Sequence, residues 1–399
     1  MADHSQAVAR RPRNRRALLA DAAAELFRER GYHQVGVNDI AGAAGVTGPA
    51  VYRHFRGKQD ILAHVLLSGL DTIGLVMTSA TATAGTAAEQ LDNLLAGMAT
   101  LAVDRREITA LWRWEGRHLT QEDQAKIRHR GSELMTEWGI ALRDVRTELD
   151  PTHAELLCWA ALSVYGSVSV HHTSPPRQRF ERLLADIANA VLRTPVEQPE
   201  PAPTDDAAWR RAVEPASRRE ELLTAATLLF RERGYHSVSM EDIGAHAGIA
   251  GPSVYRYFPG KAAILVAAGY RMADRLARSA EHAIRDAATP RDAINRLAES
   301  YVDTVLRSDN LMATFATELA NLPAADRKEL VRLQRAYVAR WVELLRADAE
   351  ELPPADARVT VHAALTIVND LARTPRIATR PGIAAELTEL AVTALNARR

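Results

Sequence analysis

The chain of 399 residues contains a single cysteine, Cys158. One cysteine excludes an intramolecular disulfide and offers no metal-ligand cluster, so no metal is expected. Lying in an apolar helical stretch, it is expected to be an inert core thiol. Net charge is missing too: 50 Lys and Arg balance 50 Asp and Glu. The molecule as a whole is therefore not built to coat a polyanion, and affinity for nucleic acid must come from local patches. The amino terminus lacks the apolar stretch of a secretory signal. No run of about 18 uninterrupted apolar residues suggests a membrane span. These absences make a cytoplasmic protein without membrane association the expectation. Zinc spacing, a nucleophile motif and a Gly-rich phosphate loop are also lacking. Gly57-Lys58 has neither the preceding glycine nor the following Ser/Thr of such a loop. Neither an enzyme nor a cofactor is expected.

What the chain does have is a repeat. Val46 to Lys58 reads VTGPAVYRHFRGK, and Ile249 to Lys261, 203 positions later, reads IAGPSVYRYFPGK. At that offset Arg15–Leu62 aligns with Arg218–Leu265 without a gap, with 28 identities in 48 pairs. Such a match indicates duplication of a whole folding unit. Strand-like alternation is absent, and the fold class expected is all-α.

In the first copy a helix is expected over 12–30. Leu18, Ala22 and Leu26 form one row of its apolar stripe, and Leu19, Ala23 and Phe27 the next. Gly31 ends it. A short helix over 37–44 carries Val37, Ile40, Ala41 and Ala44 on one face. Gly45 and Val46 make a turn, Thr47 is placed to cap a third helix through its hydroxyl, and Pro49 falls in that helix's first turn. The third helix is expected to reach Phe55, with Gly57 breaking it. Helix, short helix, glycine turn and short helix is a helix-turn-helix arrangement. Val51, Phe55 and Ile40, with Val254, Phe258 and Ile243 in the second copy, are expected in the core.

The segments AAAELFRERGYHQVGVNDIAGAAGVTGPAVYRHFRGKQDIL and AATLLFRERGYHSVSMEDIGAHAGIAGPSVYRYFPGKAAIL resemble the amino-terminal domain of the TetR family of bacterial transcriptional regulators. The aromatic–basic–aromatic end of the third helix, followed by Gly-Lys, carries that resemblance most specifically. It implies two tandem units in one chain, each a three-helix DNA-binding domain followed by a helical ligand-binding and dimerisation domain. The expected boundaries are 12–60 and 61–193 for the first unit, a Pro-rich linker over 194–214, then 215–263 and 264–399. The linker begins TPVEQPEPAP, and up to Pro215 an extended chain at about 3.1 Å per residue spans roughly 60 Å. Helices are expected over 86–103, 105–117, 121–148, 152–170, 177–193, 216–233, 240–247, 251–258, 261–286, 291–308, 311–321, 324–349, 355–372 and 382–397, with a long helix from Lys58 to about Thr78.

The partner implied is a double-stranded DNA operator. A recognition helix enters the major groove amino terminus first, which points to Thr47, Gly48, Pro49 and Ala50, and to Gly251, Pro252 and Ser253 after Ala250. By resemblance Tyr52 and Tyr255 bond phosphates. Arg53 and Arg256 suit guanine O6/N7 because the guanidinium fork is bidentate. His54 and Tyr257 hold phosphate-contacting positions, and Lys58 and Lys261 grip the backbone. Arg13, Arg15 and Arg16, with Arg10 and Arg11, form a basic arm. Residues 1–62 carry ten basic and six acidic side chains, whereas 214–265 carry six of each. Ala250 for Thr47 removes the expected cap, worth about 1 kcal/mol. Pro259 replaces Arg56, and Ser239 with Asp242 makes a capping box where the first copy has Gly36 with Asp39.

The resemblance also implies a small-molecule effector, expected to be hydrophobic and lipid- or acyl-CoA-like. Trp112, Trp114, Trp138, Trp159, Tyr165, Phe315, Tyr337 and Trp341 are candidate lining residues, although aromatics in helical domains more often serve the core. Such regulators normally pair as dimers. Here the last two helices of each half, about 152–193 and 355–397, are expected to pack as a four-helix interface, giving a pseudo-dimer within one chain that acts as a repressor on an imperfect palindrome. A homodimer is the other assembly considered. The alternative function is a regulator in which only the first helix-turn-helix reads DNA and the second half is a scaffold.

Overall fold

The computed structural model describes residues 15–82, 85–114, 116–195, 217–307, 318 and 321–397, without the side chains of 112–114 and 117. Among these residues all regular structure is helical. The first copy runs α1 Arg15–Arg30, α2 Val37–Ala43, α3 Gly48–Val51, α4 Lys58–Ala82, α5 Ala87–Asp104, α6 Arg106–Trp114, α7 Gln121–Val145, α8 Pro151–Gly166 and α9 Arg177–Leu192. The second runs α10 Arg218–Arg233, α11 Met240–His246, α12 Gly251–Val254, α13 Lys261–Arg285, α14 Pro290–Leu306, α15 Ala324–Asp348, α16 Pro354–Arg373, α17 Pro375–Ala378 and α18 Ile383–Asn396. Pro151, Pro290 and Pro354 open their helices, where a missing N–H is harmless. The basic arm including Arg13, the linker, and nearly all of the helix expected over 311–321 lie outside the described residues.

The chain divides into two compact units. One comprises the residues up to Gly74 together with Glu107–Ser132, and the other Leu75–Arg106 together with Glu133–Arg399. In the first, Leu19, Ala23, Phe27, Ile40, Val51 and Phe55 are buried and form the small core of α1–α3. Full burial of each large side chain contributes about 1.5–3 kcal/mol. Leu18, expected on the same stripe, is 48% exposed, because α2 and α3 cover only the Leu19–Phe27 side of α1. Helix α4 is long and apolar enough to cross a membrane, closer to that composition than the run-length argument allowed. Half of its most apolar window is buried within the protein.

In the second unit Leu222, Leu223, Ala226, Leu229, Phe230, Ile243, Val254 and Phe258 repeat the α1–α3 core. The same unit brings α8 and α9 against α16 and α18. Arg179 on α9 donates from Nε to Asp356 Oδ2 on α16 at 2.9 Å, with Asp356 only 1% exposed. Arg376 pairs with Glu155 at 2.5 Å, and Arg380 donates to the carbonyl of Thr152 at 3.3 Å. His171 and His362 face each other across the same junction, ring centroids 4.8 Å apart. Burial pushes His171 down to about 3 and His362 down to about 4, so both are neutral there. Cys158 is buried on α8, and burial raises its thiol.

Candidate nucleic-acid interface

Both helix-turn-helix segments turn by the same backbone device. Gly45 and Gly248 have φ of 66° and 70°, a conformation a side chain would strain. Val46 and Gly45 donate their N–H groups to the carbonyls of Ala41 and Gly42 at 2.9 and 3.2 Å. Ile249 and Gly248 repeat this on Gly244 and Ala245 at the same distances. These paired bonds form a Schellman end, and they deliver the chain directly into α3 and α12. Those helices are shorter than expected. Beyond Val51 the N–H groups of His54 and Phe55 both donate to the Val51 carbonyl, at 2.9 and 3.0 Å. The second copy does the same on Val254. Sinking Phe55 and Phe258 into the core draws the chain out of regular helix into this tighter turn.

The turn presents the polar side chains outward. Tyr52 and Tyr255 are 61% and 51% exposed, and Arg53, His54, Arg256 and Tyr257 are exposed as well. Among the described residues neither Arg53 nor Arg256 has an ion-pair partner. Thr47, Pro49 and Pro252 are exposed, while Gly48, Ala50, Gly251 and Ser253 are half-buried against α2 or α11. Arg15 is exposed. The Arg16 guanidinium lies over the Phe55 ring at 5.0 Å, and Arg219 lies over Phe258 at 4.6 Å. Each contact holds an arginine of the opening helix beside the end of the recognition turn. Each arginine lies 39 residues before its aromatic partner, so the sequence carries no local signal of that contact.

One expected role is corrected by the geometry. Thr47 stands at the N-cap of α3, but its hydroxyl makes no cap hydrogen bond. Pro49 has no N–H to give, and the Ala50 N–H donates to the Thr47 carbonyl at 2.9 Å. Thr47→Ala should therefore change unfolding free energy by no more than about 0.5 kcal/mol, rather than the larger loss of a true cap; urea unfolding checks this. The lysines are engaged within the fold. Lys58 Nζ donates to the Tyr32 carbonyl at 2.7 Å and sits 4.2 Å from that ring's centroid. Lys261 Nζ donates to the carbonyls of Tyr235, Val238 and His236 at 2.7, 2.8 and 3.3 Å. Each lysine clips the loop after the opening helix to the start of α4 or α13. Lys261→Ala should destabilise the second copy by about 1–3 kcal/mol, read as a lowered thermal midpoint.

The described aromatic candidates make separate contacts. Trp138 is fully buried, and Tyr165 donates from its hydroxyl to the Leu95 carbonyl at 3.0 Å. Trp159 bonds Glu155 at 3.2 Å and lies under Arg376 of α17. Tyr337 and Trp341 do meet, with Tyr301, at ring-centroid distances of 6.0–6.2 Å. Phe315 and the side chains of Trp112 and Trp114 lie outside the described residues. A cleft of about 630 Å³ between α13 and α14 is polar instead, lined by Arg271, Asp274, Arg275, Arg278 and Arg307 among others.

The sequence profile of "Bacterial regulatory proteins, tetR family" matches twice, over residues 19–65 and 222–268. That of "Tetracyclin repressor-like, C-terminal domain" matches 287–373. The HTH-type transcriptional regulator BetI of Rhizobium meliloti is 32% identical over 141 residues, 35% of this chain and 68% of BetI. The chain belongs to the TetR family. Among other relatives, the HTH-type transcriptional activator FasR of Mycolicibacterium smegmatis is 32% identical over 88 residues, 22% of this chain but only 40% of FasR. The HTH-type transcriptional repressor KstR2 of Rhodococcus jostii is 42% identical over 59 residues, 15% of this chain and 29% of KstR2.

The two TetR-type units are unequal at the surface. In the first, the Arg56 guanidinium reaches Asp60 at 3.2 Å and its N–H donates to the same carboxylate at 2.9 Å. In the second, Pro259 and Ala263 stand at those places. Arg218, the counterpart of Arg15, is paired with Glu221. The Ser239–Asp242 capping box is complete, with bonds of 2.8 and 3.0 Å, against the single Gly36–Asp39 bond of 2.7 Å. The second unit is the better capped and the less cationic.

Proposed function

We propose that the chain is a ligand-responsive, DNA-binding repressor that works as an intramolecular pseudo-dimer in the bacterial cytoplasm. The observation that carries this is the packing of α8 and α9 on α16 and α18, which joins the two halves of a chain with two TetR-type units. Residues 12–60 and 215–263 are the readers, 61–193 and 264–399 the regulatory domains, and 194–214 the linker. Exposed Tyr52, Arg53 and His54, with Tyr255, Arg256 and Tyr257, supply phosphate and base contacts. Arg16 and the basic arm add phosphate neutralisation to the first unit. Lys58 and Lys261 hold the readers in shape. A hydrophobic effector in a regulatory domain shifts the readers and releases the operator. Repression fits the repressor name of KstR2, although FasR is named an activator.

Selection of bound sequences from random DNA tests this reading. Two half-sites arranged as an imperfect palindrome support it. A single half-site supports instead a regulator in which only the first unit reads DNA, the version favoured by the lower charge of the second.

A further inference from the structure

One exposed position separates the two readers beyond the differences already described. Helix α2 carries Asn38 where α11 carries Glu241, each immediately before the shared Asp39 or Asp242. Both side chains lean on the first residue of the recognition helix. A Cβ placed on Gly251 would lie 3.0 Å from Glu241 Cγ, and one on Gly48 would run into the Asn38 amide oxygen. The glycine thus leaves the room that residue 38 or 241 occupies. It holds that residue beside the helix end whose first side chains reach base edges. Both residues are exposed. Glu241 has no ion-pair partner among the described residues, since nearby Arg233 reaches Asp242 instead, at 3.8 Å.

The chemistry of the two side chains differs in kind. Asn offers a donor and an acceptor, which match adenine N6 and N7 as a pair. A carboxylate only accepts: cytosine N4 donates to it, whereas adenine sets its N6 donor beside the acceptor N7 and guanine presents the acceptors O6 and N7. We infer that residue 38/241 is a specificity-determining position of the two readers, with Asn38 selecting adenine in one half-site and Glu241 selecting cytosine at the matching place in the other. The inference rests on the DNA-binding reading proposed above and deepens it. Because the readers are covalently joined, unequal half-sites also give the chain one orientation on its operator.

The test is sequence selection from random DNA with the full chain and its Glu241→Asn variant, followed by salt titration of binding to the selected sites. Asparagine occupies this position in the first copy of the same fold, and an unchanged thermal midpoint confirms that the variant folds. The wild-type chain should select two half-sites that differ at one matching base pair, cytosine in one and adenine in the other. The variant should lose roughly ten- to hundredfold preference for cytosine there and gain adenine, leaving the other half-site unchanged. If the variant keeps the wild-type bases while binding every sequence more tightly, Glu241 is only a repulsive charge and the inference is overturned, with DNA reading intact. If the wild-type chain selects no sequence, both fall together.

Discussion

Arg179→Ala is expected to destabilise the chain by roughly 1–3 kcal/mol, the cost of taking one hydrogen bond from a buried polar group. Its guanidinium donates to Asp356, a carboxylate buried to 1% exposure at the first turn of α16. The opposite truncation, Asp356→Ala, should cost less, because the Arg179 side chain is 39% exposed and can turn to water. The double variant removes both charges and should lie closer to wild type than Arg179→Ala alone, giving a coupling visible in a double-mutant cycle. Chemical denaturation measures all three. The same variants should weaken operator binding, since this contact helps to tie the halves together. Additive losses with unaltered DNA affinity would show that the contact is incidental to the pairing of the halves.

Arg53→Ala should lower operator affinity by roughly 5- to 150-fold, the range for losing a bidentate arginine–guanine contact. The equivalent Arg256→Ala should lower it less. Arg53 belongs to a segment, residues 1–62, with ten basic and six acidic side chains, whereas Arg256 belongs to residues 214–265, which carry six of each. Fluorescence anisotropy at several salt concentrations separates two roles. A base contact changes which sequences are preferred, while a phosphate contact lowers the salt slope by about one. No effect from Arg256→Ala, with a full effect from Arg53→Ala, would favour the regulator with a single reader.

Much of this was legible in the residues themselves. The periodicities of α1 and α2, the glycine turn and the prolines at helix starts are local signals, and the helices lie where those signals put them. Leu18 faces water because the width of a buried stripe depends on what packs against it. Thr47 misled through a detail of its neighbours: with Pro49 in the first turn and the Ala50 N–H taken by backbone, no donor remains for a capping hydroxyl. Lys58 and Lys261 follow the recognition turn directly, which suggested phosphate contact. The carbonyls they hold lie about 26 residues earlier, a tertiary relation that spacing does not reveal. The Asn38–Glu241 difference was visible in the alignment of the copies, but its place against Gly48 and Gly251 is a matter of three-dimensional packing. Helix α17, four residues opening on Pro375 and followed by Pro381 and Gly382, has too few positions for any period to show.

The central claim is that one chain supplies both readers of one operator. Light scattering of the chain bound to its selected operator tests this most directly. The account predicts a complex containing one chain per operator with both half-sites occupied. Two chains per operator, each half paired with its copy in the other chain, would place four readers in the particle and contradict it.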